Sequence, residues 1–124
     1  MAIVLVIEDE PLVRDTIRLS LETGGYDVLI ASDGREGVNM LIRNKVDVVV
    51  TDLIMPEQEG LETIRIIRRD HPNTKVIAIS GGGRHVGTDY LKAASLLGAN
   101  FALQKPFAMA HLRQCVADCL AGTA

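Results

Sequence analysis

Five residues of chemically useful type stand at the ends of apolar runs in this 124-residue chain. Glu8 and Asp9 follow Ile3-Val4-Leu5-Val6-Ile7, and Asp52 follows Val46-Asp47-Val48-Val49-Val50-Thr51. Ser80 follows Val76-Ile77-Ala78-Ile79, and Lys105 follows Phe101-Ala102-Leu103-Gln104. If these runs are parallel strands, their C-terminal ends share one edge, and that edge is where open α/β sheets place their ligand sites. Three carboxylates gathered there repel one another, so the arrangement requires protonation or a cation. One lysine supplies a single charge, which makes a divalent metal the natural complement. An ionised aspartate in such a setting is also a nucleophile.

The elements that must position these residues are legible from periodicity. The apolar runs are separated by helical stretches, giving five strand-then-helix units with no linker and no break in composition. The first helix starts at Pro11, buries Val13, Ile17 and Leu21, and stops at Gly24-Gly25. Val28 to Ala31 reads as the second strand, and Gly34 to Asn44 as a helix with Val38, Leu41 and Ile42 inward. A loop from Leu53 to Glu59 leads through Gly60 to a helix burying Leu61, Ile64 and Ile67, closed by His71-Pro72-Asn73. Val76 to Ile79 is the fourth strand, Asp89 to Leu97 a short helix ended by Gly98, and Met109 to Leu120 the last helix. Right-handed crossovers then give an α/β fold, a doubly wound (βα)5 parallel sheet. The strand order 2-1-3-4-5 puts the switch point between strands one and three, where the acidic residues lie; it is borrowed from known doubly wound folds rather than derived.

Composition sets outer bounds. The length fits a single domain, residues 1–124, and 48% hydrophobic residues suit a globular protein. A net charge of -3 gives no electrostatic reason for nucleic acid as a direct partner. The apolar runs are too short to span a bilayer, and Met1 to Ile7 lacks a signal-peptide pattern, so a cytoplasmic location without membrane contact is expected. Cys115 and Cys119 stand four apart on the last helix, on one stripe with His111. A metal triad there would lack a fourth ligand, and buried packing is the better reading of the cysteines.

The pieces Val6-Ile7-Glu8-Asp9-Glu10, Thr51-Asp52-Leu53-Ile54-Met55-Pro56 with Gly60, Ala78-Ile79-Ser80-Gly81 and Lys105-Pro106-Phe107 occur in that order. Over essentially its whole length the chain resembles the receiver domain of response regulators, the CheY-like, flavodoxin-like phosphoacceptor module of two-component signalling. The resemblance implies that Asp52 accepts a phosphoryl group from the phosphohistidine of a histidine kinase or histidine phosphotransfer protein. It implies Mg²⁺ as cofactor, bound by Asp9, Asp52 and the backbone carbonyl of Ile54, with Glu8 acting mainly through a bound water. Ser80 would donate a hydrogen bond to the phosphoryl group, and Lys105 would pair with it. A cis peptide between Lys105 and Pro106 is expected as well, as is a monomer or weak homodimer.

The chain departs from the family pattern at three places. Ala102 stands where the family usually carries Tyr or Phe, and Phe101 is one residue off, which in a strand means the opposite face. Signalling is therefore expected to run through the Ser80-to-Arg84 loop and the helix after it. The run Gly81-Gly82-Gly83-Arg84 reads as a hinge; it lacks the Lys-Ser/Thr of a phosphate-binding loop. Ile54 is apolar where many relatives are polar, which implies slow hydrolysis of a phosphoaspartate.

Other functions fit less well. Dehalogenase-type phosphatases carry a second Asp two residues after the nucleophile, where this chain has Ile54. A flavin carrier wants a phosphate-binding first loop and flanking aromatics, and the chain has two Phe, two Tyr and no Trp. The alternative that stays open is a pseudo-receiver, an interaction module independent of phosphorylation. The leading expectation is a stand-alone receiver with no output domain, a signalling switch rather than an enzyme.

Overall fold

The computed structural model describes residues 2–53, 60–80 and 86–122, with side chains of 86–90 left out of the description. The elements are β1 (Ile3–Ile7), α1 (Pro11–Thr23), β2 (Asp27–Ala31), α2 (Gly34–Arg43), β3 (Val48–Asp52), α3 (Gly60–Asp70), β4 (Lys75–Ser80), α4 (Val86–Leu96), β5 (Phe101–Gln104) and α5 (Met109–Ala121). All pairings are parallel and the order is β2-β1-β3-β4-β5, as the sequence reading expected. The switch point therefore lies between β1 and β3, where Val6 pairs with Val50 and Ile7 with Thr51.

Central strands are apolar throughout because both their faces are covered. One face carries Val4, Val6, Val48, Val50, Ile77, Ile79 and Leu103 against Ile17 and Leu21 of α1 and Leu112, Cys115, Val116 and Cys119 of α5. The other carries Leu5, Ile7, Val49, Val76 and Ala78 against Leu41, Ile64, Ile67 and Ala94. Alternate residues along each strand divide between the two layers, as the period-2 geometry of a strand requires. β2 and β5 are the edge strands, and β2 is the less covered, with Ile30 37% exposed.

Helix ends follow from local chemistry. Pro11 opens α1, where its missing N–H costs nothing, and Gly25 with φ +93° turns the chain out of it. The Asp33 carboxylate accepts from the Glu36 N–H at 2.8 Å and caps α2. α5 ends at Gly122 in the left-handed region.

Several expected boundaries shift by one to three residues, β2 opening at Asp27, β4 at Lys75 and α4 at Val86. Two side chains correct the sequence reading. Ile42 is 72% exposed, not inward. α2 approaches the sheet through Gly34, Gly37 and Leu41, and a Cβ at Gly37 would fall 2.3 Å from Ile7 Cδ1. That close line turns Ile42 away from the core. His111 is exposed while Cys115 and Cys119 are 3% and 2% exposed, so the three do not form a group. Each four-residue step along a helix drifts by about 40°, which carries His111 off the buried stripe.

Candidate functional site

β1 and β3 end side by side, and their ends carry the acidic residues. Glu8 is fully buried, Asp52 is 5% exposed, and Asp9 is the most accessible of the three. One carboxylate oxygen from each lies within 4.8 Å of the others, the one such group of potential metal ligands among the described residues. Lys105, at the end of β5, reaches across β4 to this cluster. Its Nζ donates to Glu8 Oε1 at 3.0 Å and lies 3.5 Å from Asp52 Oδ2.

The electrostatics follow from burial. Loss of solvent, then the neighbouring Asp52, pushes the Glu8 carboxyl up to about 7, against the pull of Lys105 and of the Glu10 N–H that donates to its Oε2. Burial by itself would lower the Lys105 ammonium, but Glu8 and Asp52 outweigh it and hold its pKa above the ordinary value. The lysine thus stays charged, and Glu8 carries the labile proton of the cluster.

The backbone under Asp52 is fixed at close quarters. The Leu53 N–H donates to Ile79 O at 2.9 Å, the Gly60 N–H donates to Leu53 O at 3.0 Å, and Thr51 Oγ1 donates to Asp52 O at 3.0 Å. A Cβ at position 60 would sit 2.2 Å from Asp52 O and 2.5 Å from Leu53 Cα. Gly60 is therefore more than a helix start: only a residue without a side chain lets α3 begin against the end of β3.

Ser80 closes β4 beside this edge. It is fully buried, its Oγ has no hydrogen-bond partner among the described residues, and its carbonyl accepts from the Lys105 N–H at 2.9 Å. A buried hydroxyl without a partner costs free energy unless a ligand group supplies one. The Lys105–Pro106 peptide is cis, as expected. Ala102 pairs with Ala78, while Phe101 packs into the α1/α5 layer, so the nearest aromatic points to the face away from α4. Ile54 and the Gly81-to-Arg84 run fall outside the described residues. The sequence reading missed Arg14, whose Nη1 donates to the Glu8 carbonyl at 3.3 Å.

A family model described as the response regulator receiver domain matches residues 4–117. The chain belongs to this family. Receiver relatives include a probable transcriptional regulatory protein of Picosynechococcus, 35% identical over 95% of this chain and 47% of its own length. The sensor kinase CckA of Brucella abortus is 35% identical over 96% of this chain and 12% of its own length. This chain thus spans about half the length of the first of these relatives and a small part of the second. Among solved receivers, one from Clostridium thermocellum superposes with a TM-score of 0.91 at 32% identity, covering 98% of this chain and 96% of the other. TrrA of Thermotoga maritima, solved in complex with Mg²⁺-BeF, superposes with a TM-score of 0.84 at 28% identity, covering 96% and 99%. The receiver fold and the role of a two-component signalling switch follow from this membership. No helix among the described residues is long and apolar enough to cross a membrane.

Proposed function

We propose that this receiver takes a phosphoryl group from a histidine kinase or histidine phosphotransfer protein onto Asp52 in a Mg²⁺-dependent step. The observation that carries the reading is the convergence of Glu8, Asp9 and Asp52 with Lys105 at one sheet edge. The donor set fits the ion: three hard carboxylate oxygens suit Mg²⁺, which takes oxygen ligands and keeps several waters. Asp9 and Asp52 would hold it directly with the Ile54 carbonyl, and Glu8 through a water. When bound, Mg²⁺ supplies positive charge to the oxygens of the transferring phosphoryl group.

The protein's own residues do the rest. An Asp52 carboxylate oxygen attacks phosphorus in line, the phosphorus–nitrogen bond to the donor imidazole breaks, and the imidazole leaves with that electron pair. The product is an acyl phosphate on Asp52. Lys105, kept charged by its setting, pairs with a phosphoryl oxygen, and the Ser80 hydroxyl donates to another. The new group brings about two negative charges, so Lys105 exchanges Glu8 for the phosphoryl group and the ends of β4 and β5 respond. A cavity of about 520 Å³ beside Lys105, walled by Leu12, Val13, Pro106, Phe107 and Met109, supports the reading that a protein donor docks here. The switch operates in the cytoplasm, where its phosphodonors are. Slow loss of the phosphoryl group to water resets it, so it acts as a signal carrier rather than as a turnover catalyst. Retention of the full acidic set speaks against a pseudo-receiver.

Intact-mass measurement after incubation with acetyl phosphate tests this. A gain of one phosphoryl group that requires Mg²⁺ and is abolished by Asp52→Asn is the expected result. No gain in the wild type with either acetyl phosphate or a phosphorylated donor protein would overturn it.

A further inference from the structure

Glu8 and Asp9 are consecutive, and consecutive side chains on an extended strand point to opposite faces. Yet both carboxylates enter one cluster with Asp52. The chain must leave the extended form between them, and it does: β1 ends at Ile7 and Asp9 lies in a bend. Something has to hold that bend, because three mutually repelling carboxylates will not.

The sheet ladder stops just short of it. The Glu8 N–H donates to Ala31 O at 3.0 Å, and β2 ends at Ala31. The next β2-side amide, that of Ser32, donates instead to Glu36 Oε1 at 2.6 Å. Beside this end of β2 lies a cavity of about 310 Å³ lined by Arg14, Ile30, Ala31, Ser32 and Glu36. Arg14 sits in the first full turn of α1, its own N–H donating to Glu10 O at 2.9 Å. Helical side chains lean toward the helix N-terminus, so this one runs back over the β1–α1 connection. Its Nη1 reaches the Glu8 carbonyl at 3.3 Å, while its Nε is buried with no partner among the described residues. A guanidinium nitrogen is accepted there without a partner, and the bond made is to the carbonyl of the Glu8–Asp9 peptide itself.

We infer that Arg14 is a positioning residue for the metal-binding pocket: by holding the Glu8–Asp9 peptide it turns two consecutive carboxylates into one site. The inference rests on the proposed Mg²⁺ chemistry and deepens it. It also makes a prediction of opposite sign to simple electrostatics. Removing a cation near an acidic pocket would strengthen Mg²⁺ binding if charge alone mattered. Loss of a positioning contact weakens it, and removal of outer partners of metal ligands typically costs about 10- to 100-fold in affinity.

The test is calorimetric titration of the whole chain with Mg²⁺, with no phosphodonor present. Arg14→Met, which keeps length but loses every donor, is expected to weaken binding about tenfold. Arg14→Lys, which can still reach a carbonyl, recovers part of the loss. Arg18→Met, one turn along the same helix in an exposed pair with Glu22, leaves affinity unchanged. Unaltered or tighter binding by Arg14→Met, with wild type binding normally, overturns the inference and spares the proposed function. Wild-type protein that binds no Mg²⁺ overturns both. Circular dichroism of each variant without metal establishes that it is folded; should Arg14→Met fail there, Arg14→Gln is read by the same criterion.

Discussion

The two layers that sandwich the sheet are built from residues of different size around β4 and β5. On the α1/α5 side, Ile77, Ile79 and Leu103 meet Leu112, Val116, Cys115 and Cys119, with Phe101 laid against them. On the α4 side the contacts among the described residues come from Ala78 and Ala94 nearest the strand ends, with Val76 further back, Leu91 partly buried and Ala102 paired to Ala78. Large interlocking side chains resist displacement, because each buried methylene moved out of place loses both transfer free energy and dispersion contacts. Small ones offer fewer such contacts to lose. The difference assigns a rigid floor to the α1/α5 side and the adjustable contact to α4, beside the strand ends that carry Ser80 and Lys105. The acidic residues end β1 and β3, two of the three strands buried along almost their whole length.

Cutting into each layer breaks or sharpens this contrast. Leu112→Ala is expected to cost about 2–5 kcal/mol, the range for a fully buried leucine whose cavity cannot collapse. Leu91→Ala, on the α4 side, is expected to cost about 1 kcal/mol, since part of its surface is already in water and its neighbours there are small. Urea denaturation of the two variants measures the gap; equal losses would end the distinction between floor and adjustable layer.

A pH-dependent effect separates the acidic edge from both layers. Below about pH 4.5 Glu8 holds its proton whether the chain is folded or not, and between there and about 7 only the folded chain holds it. The folded state thus binds more protons across that window, and stability falls as pH rises through it. The contribution is on the order of 3 kcal/mol at most, from the displacement of the Glu8 carboxyl from 4.5 to about 7. Without Mg²⁺, Glu8→Gln is expected to remove this decline and to raise the melting temperature at pH 8. The same proton competes with Mg²⁺, so wild-type affinity should climb with pH and level off above about 7. A wild-type melting temperature that falls no more than that of Glu8→Gln between pH 5 and 8 would contradict the assignment.

Much of this molecule was open to reading in the chain. Strands covered on both faces must be apolar throughout, which is why Ile3–Ile7 and Val48–Asp52 stand out, and parallel strands must share an edge. Those two facts bring Glu8, Asp9, Asp52 and Lys105 to one edge; that they meet there rests on the strand order, which came from known doubly wound folds, and on the bend at Asp9. What escaped depends on three-dimensional closeness that residue type does not encode. Ile42 fits an inward stripe, but the glycine line of α2 decides which side faces Ile7. Gly60 reads as a helix start until its distance to Asp52 O is known. Arg14 reads as a solvated helix charge until the bend it spans is seen, and the raised Glu8 pKa comes from depth of burial.

Position 102 tests the contrast where it is finest. In a strand, Phe101 and Ala102 face opposite layers, and the structure puts the ring with Leu112 and Val116 rather than toward α4. A tyrosine at 102 would enter the layer that Ala78 and Ala94 line with small side chains among the described residues. If the response to phosphorylation already passes through the chain following Ser80, a ring there is an added weight and not a missing part. Ala102→Tyr is therefore expected to leave the phosphorylation dependence of partner affinity within about twofold of wild type, a shift under about 0.4 kcal/mol. Binding of phosphorylated and unphosphorylated forms to the kinase or phosphotransfer partner measures it. A large change would mean that the α4 layer was waiting for an aromatic, and that Ala102 weakens the coupling of a switch otherwise built to use one.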